Sequence, residues 1–120
     1  MTLPRVRLEM AYAEATVAWA ASALELTDPE IGQAVNASRK TVQRWRELRS
    51  SPSEHHRRGL EKLNQLRYLL ESEFEPAAAQ QWMHTPLPAL KGRTPLAVLA
   101  DGDIDRVLRI LGTLAAGAFI

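Results

Sequence analysis

The sequence of 120 residues contains no cysteine and no stretch of apolar residues long enough to cross a membrane. The absence of cysteine excludes disulfides, thiol chemistry and zinc sites with cysteine ligands. A membrane-spanning helix needs roughly 18–20 uninterrupted apolar residues. No secretory signal is evident either, because Glu14 interrupts the apolar stretch from Met10 to Leu24 and no convincing cleavage site follows. We therefore expect a cytoplasmic protein that has no membrane partner.

The chain is also short, with about one domain's worth of residues by the usual prior of roughly 100–200. Its composition is 46% hydrophobic and 24% charged, which is typical of a globular protein rather than a disordered tail. A chain of this length buries a modest share of its surface. We therefore expect it to gain stability from a partner or a second copy.

Net charge is low, at +1, which taken alone does not indicate a polyanionic partner. The charges are unevenly placed, however. Residues 1–38 carry two basic and five acidic side chains, whereas residues 39–67 carry nine basic and three acidic ones, and residues 68–120 return to a net charge of −2. The segment 39–67 in the middle of the chain is therefore strongly basic and is the candidate surface for a polyanion.

The sequence predicts an all-α fold, because no strand pattern is evident and alanine, leucine, arginine and glutamate dominate. Asp28 is expected to cap the second helix and Ser38 the third. The Ser-Ser-Pro-Ser stretch at 50–53 predicts a boundary between an N-terminal subdomain, residues 1–50, and a helical C-terminal subdomain, residues 54–120. Helices are expected over residues 5–25 (as one helix or broken in two), 29–35, 39–49, 54–74, 77–83, 95–99 and 104–116.

The segment from Glu30 to Trp45 has the residue classes and spacing of a helix-turn-helix. Gly32 provides the small residue where two helices cross, and Asn36 tolerates the left-handed conformation of a tight turn. The side chains expected to face inward are Ile31, Val35, Ala37, Val42 and Trp45.

A helical period that buries Val42 and Trp45 turns a polar, basic face outward. Arginine and lysine suit guanine edges in the major groove, glutamine suits adenine, and a helix start can face a phosphate. The residues predicted to contact DNA are Ser38, Arg39, Lys40, Gln43, Arg44 and Arg46. Arg49, Arg57 and Arg58 are expected to flank them as further phosphate contacts, as Arg46 would. The alternative is a solvated charged face on a helix-turn-helix that serves only protein contacts.

Catalytic and metal-binding patterns are missing. His55 and His56 are adjacent and point about 100° apart on a helix, so they do not readily chelate one metal ion. Asp101, Asp103 and Asp105 resemble the start of a calcium loop, but the remaining ligand positions are not filled by oxygen donors. We predict no metal, no cofactor and no enzymatic activity.

The order of residues in the C-terminal half is distinctive: Trp82, a proline-containing loop to Leu90, Gly92-Arg93-Thr94-Pro95, Leu99, the turn Asp101-Gly102-Asp103, and Gly117-Ala118-Phe119-Ile120. This order resembles the toxin-binding domain of the Xre/MbcA/ParS antitoxins, which also have a helix-turn-helix upstream. The resemblance covers roughly residues 15–120.

The resemblance implies a type II toxin–antitoxin module whose partner is a RES-domain toxin that consumes NAD. In that family the C-terminal tail enters the active-site cleft of the toxin and blocks access to NAD. We further expect this chain to repress its own operon by binding operator DNA through the helix-turn-helix. The toxin-binding residues implied here are Gly117, Ala118, Phe119 and Ile120, with Arg106 and Arg109 as further candidates. Alternatively, Phe119 and Ile120 fold back onto their own core.

Family members also pair with each other, so we expect a homodimer within a larger toxin–antitoxin complex. Leu108, Leu111 and Leu114 could form the seam of such a pair, although the same spacing suits an intramolecular core. A second hypothesis is a free-standing dimeric transcription regulator whose C-terminal half only dimerises.

Overall fold

The computed structural model describes residues 4–117, and within that range the chain is helical without strands, as the sequence predicts. A 3₁₀ turn, Pro88–Leu90, lies between the fifth and sixth α-helices. The helices are α1 (Pro4–Ala23), α2 (Asp28–Val35), α3 (Arg39–Arg46), α4 (Glu54–Glu73), α5 (Pro76–Met83), α6 (Pro95–Ala100) and α7 (Ile104–Ala115).

Helix α2 begins one residue earlier than expected, because Thr27 caps it instead of Asp28. The Thr27 hydroxyl accepts a hydrogen bond from the Glu30 backbone N–H at 3.3 Å, and the Glu30 carboxylate accepts one from the Thr27 N–H at 2.9 Å. This reciprocal capping box satisfies two backbone donors at once. The prediction of Asp28 as the cap was therefore wrong, and the Asp28 side chain is left available for another contact.

Serine residues cap the N-termini of the next two helices, α3 and α4. Ser38 caps α3 as predicted, by accepting a hydrogen bond from the Thr41 N–H at 3.1 Å. Ser53, which lies in the predicted boundary segment, accepts one from the His56 N–H at 3.3 Å and caps α4. Both hydroxyls satisfy a donor that the first turn of a helix leaves free.

Two other boundaries differ in detail from the prediction. Helix α1 is one continuous helix, so the first helical stretch is not broken in two. Helix α3 ends at Arg46 rather than Arg49, because Leu48 adopts a left-handed conformation with φ 57°. The Arg49 N–H then bonds to the Arg44 carbonyl at 2.8 Å, which closes the helix end in a Schellman arrangement.

The buried side chains form one cluster, to which both halves of the chain contribute. Helix α4 runs through its middle and packs against α1 and α2 as well as α7. Its leucines at 60, 63, 66 and 70 are buried, and burying a leucine stabilises a fold by roughly 1.5–3 kcal/mol. These leucines share one core with buried residues of α1 to α3. The division into subdomains on either side of residues 50–54 stays a prediction.

Two glycines let the end of α2 pack closely against its neighbours. A Cβ atom at Gly32 would lie 2.5 Å from the carbonyl oxygen of Ala37, and one at Gly59 would lie 2.3 Å from the carbonyl oxygen of Val35. Separations this short are steric clashes. Gly32 therefore packs against the turn that leads into α3, while Gly59 gives α4 an equally close approach to α2.

Candidate DNA-binding and partner-binding surfaces

Helices α2 and α3 form the helix-turn-helix that the sequence indicates. Asn36 ends α2 in the left-handed conformation, with φ 59° and ψ 49°. Val42 and Trp45 are buried and hold α3 against the core, where Ile31 and Val35 of α2 join them. The turn and the inward face of the motif are thus built from the residues that were expected to build them.

The outward face of α3 is basic and exposed. Arg39, Lys40, Gln43 and Arg44 are all exposed, and among residues 4–117 no acidic side chain forms an ion pair with the three basic ones. Ser38 is also exposed, and its hydroxyl lies 2.9 Å from the Thr41 hydroxyl in addition to capping the helix. The structure therefore places five of the six predicted DNA-binding residues on one accessible surface, which we call the basic face: Ser38, Arg39, Lys40, Gln43 and Arg44.

Arg46, the sixth predicted DNA-binding residue, makes an intramolecular ion pair. Its guanidinium Nη2 lies 2.7 Å from Oδ1 of Asp28, although the contact is not aligned as a hydrogen bond. Because Asp28 is in the first turn of α2, the ion pair joins the two helices of the motif.

The three flanking arginines also differ in whether they form an ion pair. Arg57 donates a hydrogen bond to Glu9 of α1 at 2.7 Å, and Arg49 lies 3.4 Å from its near neighbour Glu47. Arg58 is exposed and makes no ion pair within the described part of the chain. Of the flanking residues, Arg58 is therefore the one most available to a phosphate.

Sequence reasoning missed a small cluster that supports α3 from behind. The His56 ring meets the Trp45 ring edge-on, with centroids 5.5 Å apart, and its Nδ1 lies 3.0 Å from the Ser53 hydroxyl. Burial lowers the pKa of His56, and the neighbouring His55 lowers it further. The cluster thus connects the start of α4 to the buried side of α3.

The residues implied in toxin binding are only partly described. Arg106 lies 3.1 Å from Asp103 in the first turn of α7, while Arg109 is exposed and unpaired within residues 4–117. Gly117 is exposed just beyond α7, with φ 82°. The other predicted tail residues, Ala118, Phe119 and Ile120, lie outside the described residues.

The three leucines of α7 that could form a dimer seam differ in their burial. Leu111 is fully buried in the core, so it does not offer a surface to a second copy. Leu108 and Leu114 are partly buried and pack against the same core. The intramolecular alternative therefore holds for Leu111, because α7 turns that side toward α4.

Neither a metal site nor a membrane span is found in the described part of the chain. Within residues 4–117, no group of three or more histidine, aspartate or glutamate side chains is close enough to hold a metal ion. None of the helices in that range combines the length and the apolar character of a membrane-spanning segment.

Comparison with known proteins gives consistent matches. The family model for the antitoxin Xre/MbcA/ParS C-terminal toxin-binding domain matches residues 65–117. The mycobacterial cidal antitoxin MbcA of Mycobacterium bovis is 32% identical over 108 residues, which cover 88% of this chain and 93% of the relative. MbcA of Mycobacterium tuberculosis gives the same values.

A solved structure matches as well. In the crystal structure of the M. tuberculosis MbcT–MbcA toxin–antitoxin complex, one chain is similar to this protein with a TM-score of 0.59 and 31% identity. The match covers 89% of this chain and 96% of that one. It therefore includes the helix-turn-helix as well as the C-terminal half.

Proposed function

Because the chain belongs to the Xre/MbcA/ParS family of antitoxins, we propose that it neutralises a RES-domain toxin that consumes NAD and represses its own operon. The observation that carries the first part is the similarity over nearly the whole chain to MbcA, an antitoxin solved in complex with the toxin MbcT. The chain is thus an antitoxin of a toxin–antitoxin system. What we propose beyond this is that the toxin consumes NAD and that the antitoxin binds operator DNA.

The proposed inhibition works by occlusion of the toxin active site. Helix α7 ends at Ala115, and Gly117 follows it with a positive φ. Phe119 and Ile120 supply apolar side chains suited to a concave, mostly apolar substrate site. Arg109, which is exposed beside this end of the chain, is a second proposed contact, and Arg106 is a weaker one because Asp103 already pairs with it.

The proposed operon control depends on the basic face. An exposed helix with arginine, lysine and glutamine side chains and a capped N-terminus has the chemistry that reads the major groove. A homodimer would present two such helices, and half-sites one helical turn apart would then match the spacing of the two motifs.

Deletion of residues 117–120 tests the inhibition. We expect the truncated antitoxin to keep its helical circular dichroism and melting temperature while NAD consumption by the toxin resumes. A free-standing regulator would lose nothing specific on the same deletion. Full inhibition by the truncated chain would therefore contradict the tail mechanism, and failure of the complete chain to inhibit any toxin encoded beside it would contradict the proposed partner.

A further inference from the structure

An apolar groove of about 600 Å³ opens between the end of α1, the end of α4 and the whole of α5. Its walls include Trp19 and Leu24 from α1, Leu70 and Phe74 from the end of α4, and Met83 from α5. The groove is far larger than the volume of one water molecule, which is about 30 Å³. It can therefore receive side chains of a partner.

The local sequence explains why the groove stays open. Phe74 ends α4 in an extended conformation and stacks on Trp82 at a centroid distance of 5.8 Å, so Pro76 starts α5 in a new direction. The Gln80 side-chain amide then donates a hydrogen bond to the Ala23 carbonyl and joins α5 to α1. Ala79 and Ala23 are small residues on opposite walls, where larger side chains would fill the space.

The charge around the groove is opposite to that of the basic face. The two stretches that contain its lining residues, 19–24 and 70–83, carry three acidic side chains and neither lysine nor arginine. Glu71 and Glu75 lie on its rim. Arg67 is the nearby cation, and it is already paired with Glu71 at 2.8 Å and lies over the Trp19 ring at 5.8 Å. DNA is therefore a poor occupant, and a partner with basic residues beside an apolar side chain is a good one.

We propose that this groove is a second docking site for the toxin, which inserts an apolar side chain flanked by lysine or arginine. The inference rests on the proposed function. Eight of the eleven lining residues fall within the stretch that matches the family's toxin-binding domain, residues 65–117, so the groove is continuous with that domain. A buried apolar anchor inside a polar rim is the usual arrangement of an interface hot spot.

A second copy of the chain fits less well. Among the described residues, the large exposed apolar side chains are Leu8, Leu48 and Tyr68. Leu8 and Leu48 each have an acidic neighbour, Glu9 and Glu47, as well as an arginine, so neither is flanked by basic residues alone. Insertion of Leu48 into the groove of another copy would also cover the end of α3.

The test compares two lysine variants on the same helix. Ala79→Lys places a long charged side chain in the groove, whereas Ala77→Lys changes an exposed position of α5 that does not line it. Titration calorimetry against an inactivated form of the RES-domain toxin encoded by the neighbouring reading frame gives the affinity. We expect Ala79→Lys to weaken binding about tenfold or more, as a disrupted hot spot does, and Ala77→Lys to leave it unchanged. Thermal melting shows whether each variant is folded.

Glu75→Lys provides a test that does not depend on filling the groove. Glu75 makes no side-chain capping hydrogen bond, so its replacement removes no hydrogen bond from the start of α5, and thermal melting shows whether the variant is folded. We expect weaker toxin binding, with a deficit that shrinks as the salt concentration rises.

The outcomes separate this proposal from the previous one. Unchanged affinity of both Ala79→Lys and Glu75→Lys would overturn the docking site while tail-dependent inhibition persists. If Ala79→Lys instead dissociates an oligomer of the isolated antitoxin and leaves toxin binding intact, the groove is a self-interface and the proposal is wrong. If the unaltered chain does not bind the toxin, the proposed function itself fails.

Discussion

Asp28 and Arg46 form an ion pair across the helix-turn-helix, with 2.7 Å between Oδ1 and Nη2. The pair joins the first residue of α2 to the last residue of α3. Arg46 is one of the arginines that the sequence predicts to contact DNA. The structure thus separates the basic residues of this region into a group that holds the motif together and a group that faces solvent.

Arg46→Ala is expected to affect DNA binding less than Arg44→Ala does. Arg46 would have to leave Asp28 to reach a phosphate, whereas Arg44 is exposed and makes no such pair among the described residues. Because both partners are partly exposed, we expect loss of the pair to lower the free energy of unfolding by at most about 1 kcal/mol. Fluorescence anisotropy with operator DNA and urea unfolding check the two effects, and an equal loss of affinity in both variants would contradict this assignment.

Replacement of Arg39, Lys40 and Arg44 by alanine is expected to abolish operator binding while toxin inhibition persists. The three side chains make up the cationic part of the basic face. A substitution that removes one interaction with a phosphate should lower the slope of log affinity against log salt by about 0.9, so single variants show how many of the residues bind phosphate. A mobility-shift assay with the region upstream of the gene measures binding.

Lys91→Ala is the control for that series, since it removes a positive charge outside the helix-turn-helix. It should bind operator DNA as the unaltered protein does. A triple variant that still shifts the DNA would show that α3 is not the recognition helix.

Much of this fold could be predicted because helix boundaries depend on local chemistry. Asn36, Ser38 and Pro95 take the capping and first-turn positions expected of them, and each needs only its immediate neighbours to do so. Even the missed cap had a local signal, since Thr27 is followed three residues later by Glu30.

The pairing of the charges could not be predicted in the same way. Arg57 and Glu9 are 48 residues apart, and they meet only because α1 and α4 share a core. The groove between α1 and α5 could not be predicted for the same reason, because only the packing of the two helices places Ala23 and Ala79 on its walls. Sequence patterns identify which faces of a helix are apolar, but not which distant charges neutralise one another.

Gly59→Ala is expected to destabilise the protein strongly. The new Cβ would lie 2.3 Å from the Val35 carbonyl oxygen, so α4 would have to move away from α2. Overpacking of this kind typically costs about 1–3 kcal/mol. Gly112→Ala is the matched control, because nothing lies within 4 Å of its Cβ position in α7. There we expect a gain of roughly 0.5–1 kcal/mol from helix propensity, and urea unfolding of both variants measures the contrast.

His56 is expected to make the helix-turn-helix less stable in mildly acidic solution. Burial, and then the neighbouring His55, lower the pKa of the folded-state ring below its ordinary value. Well above the ordinary histidine pKa of about 6.5, the ring is neutral in both states and contributes no pH dependence. As the pH falls below that, the unfolded chain takes up the proton first, so the free energy of unfolding decreases until the folded-state pKa is passed.

His56→Gln should therefore flatten the fall in melting temperature between about pH 7 and pH 5, the range in which histidine titrates. His84→Gln serves as the control, because His84 is exposed at the end of α5 and bonds within its own turn to Gln80. If the two variants keep the same pH dependence as the unaltered chain, the cluster of Ser53, His56 and Trp45 is not the source of it. A flattened profile in His56→Gln alone would mean that protonation of this ring weakens the support behind the recognition helix, so operator binding should decrease over the same pH range.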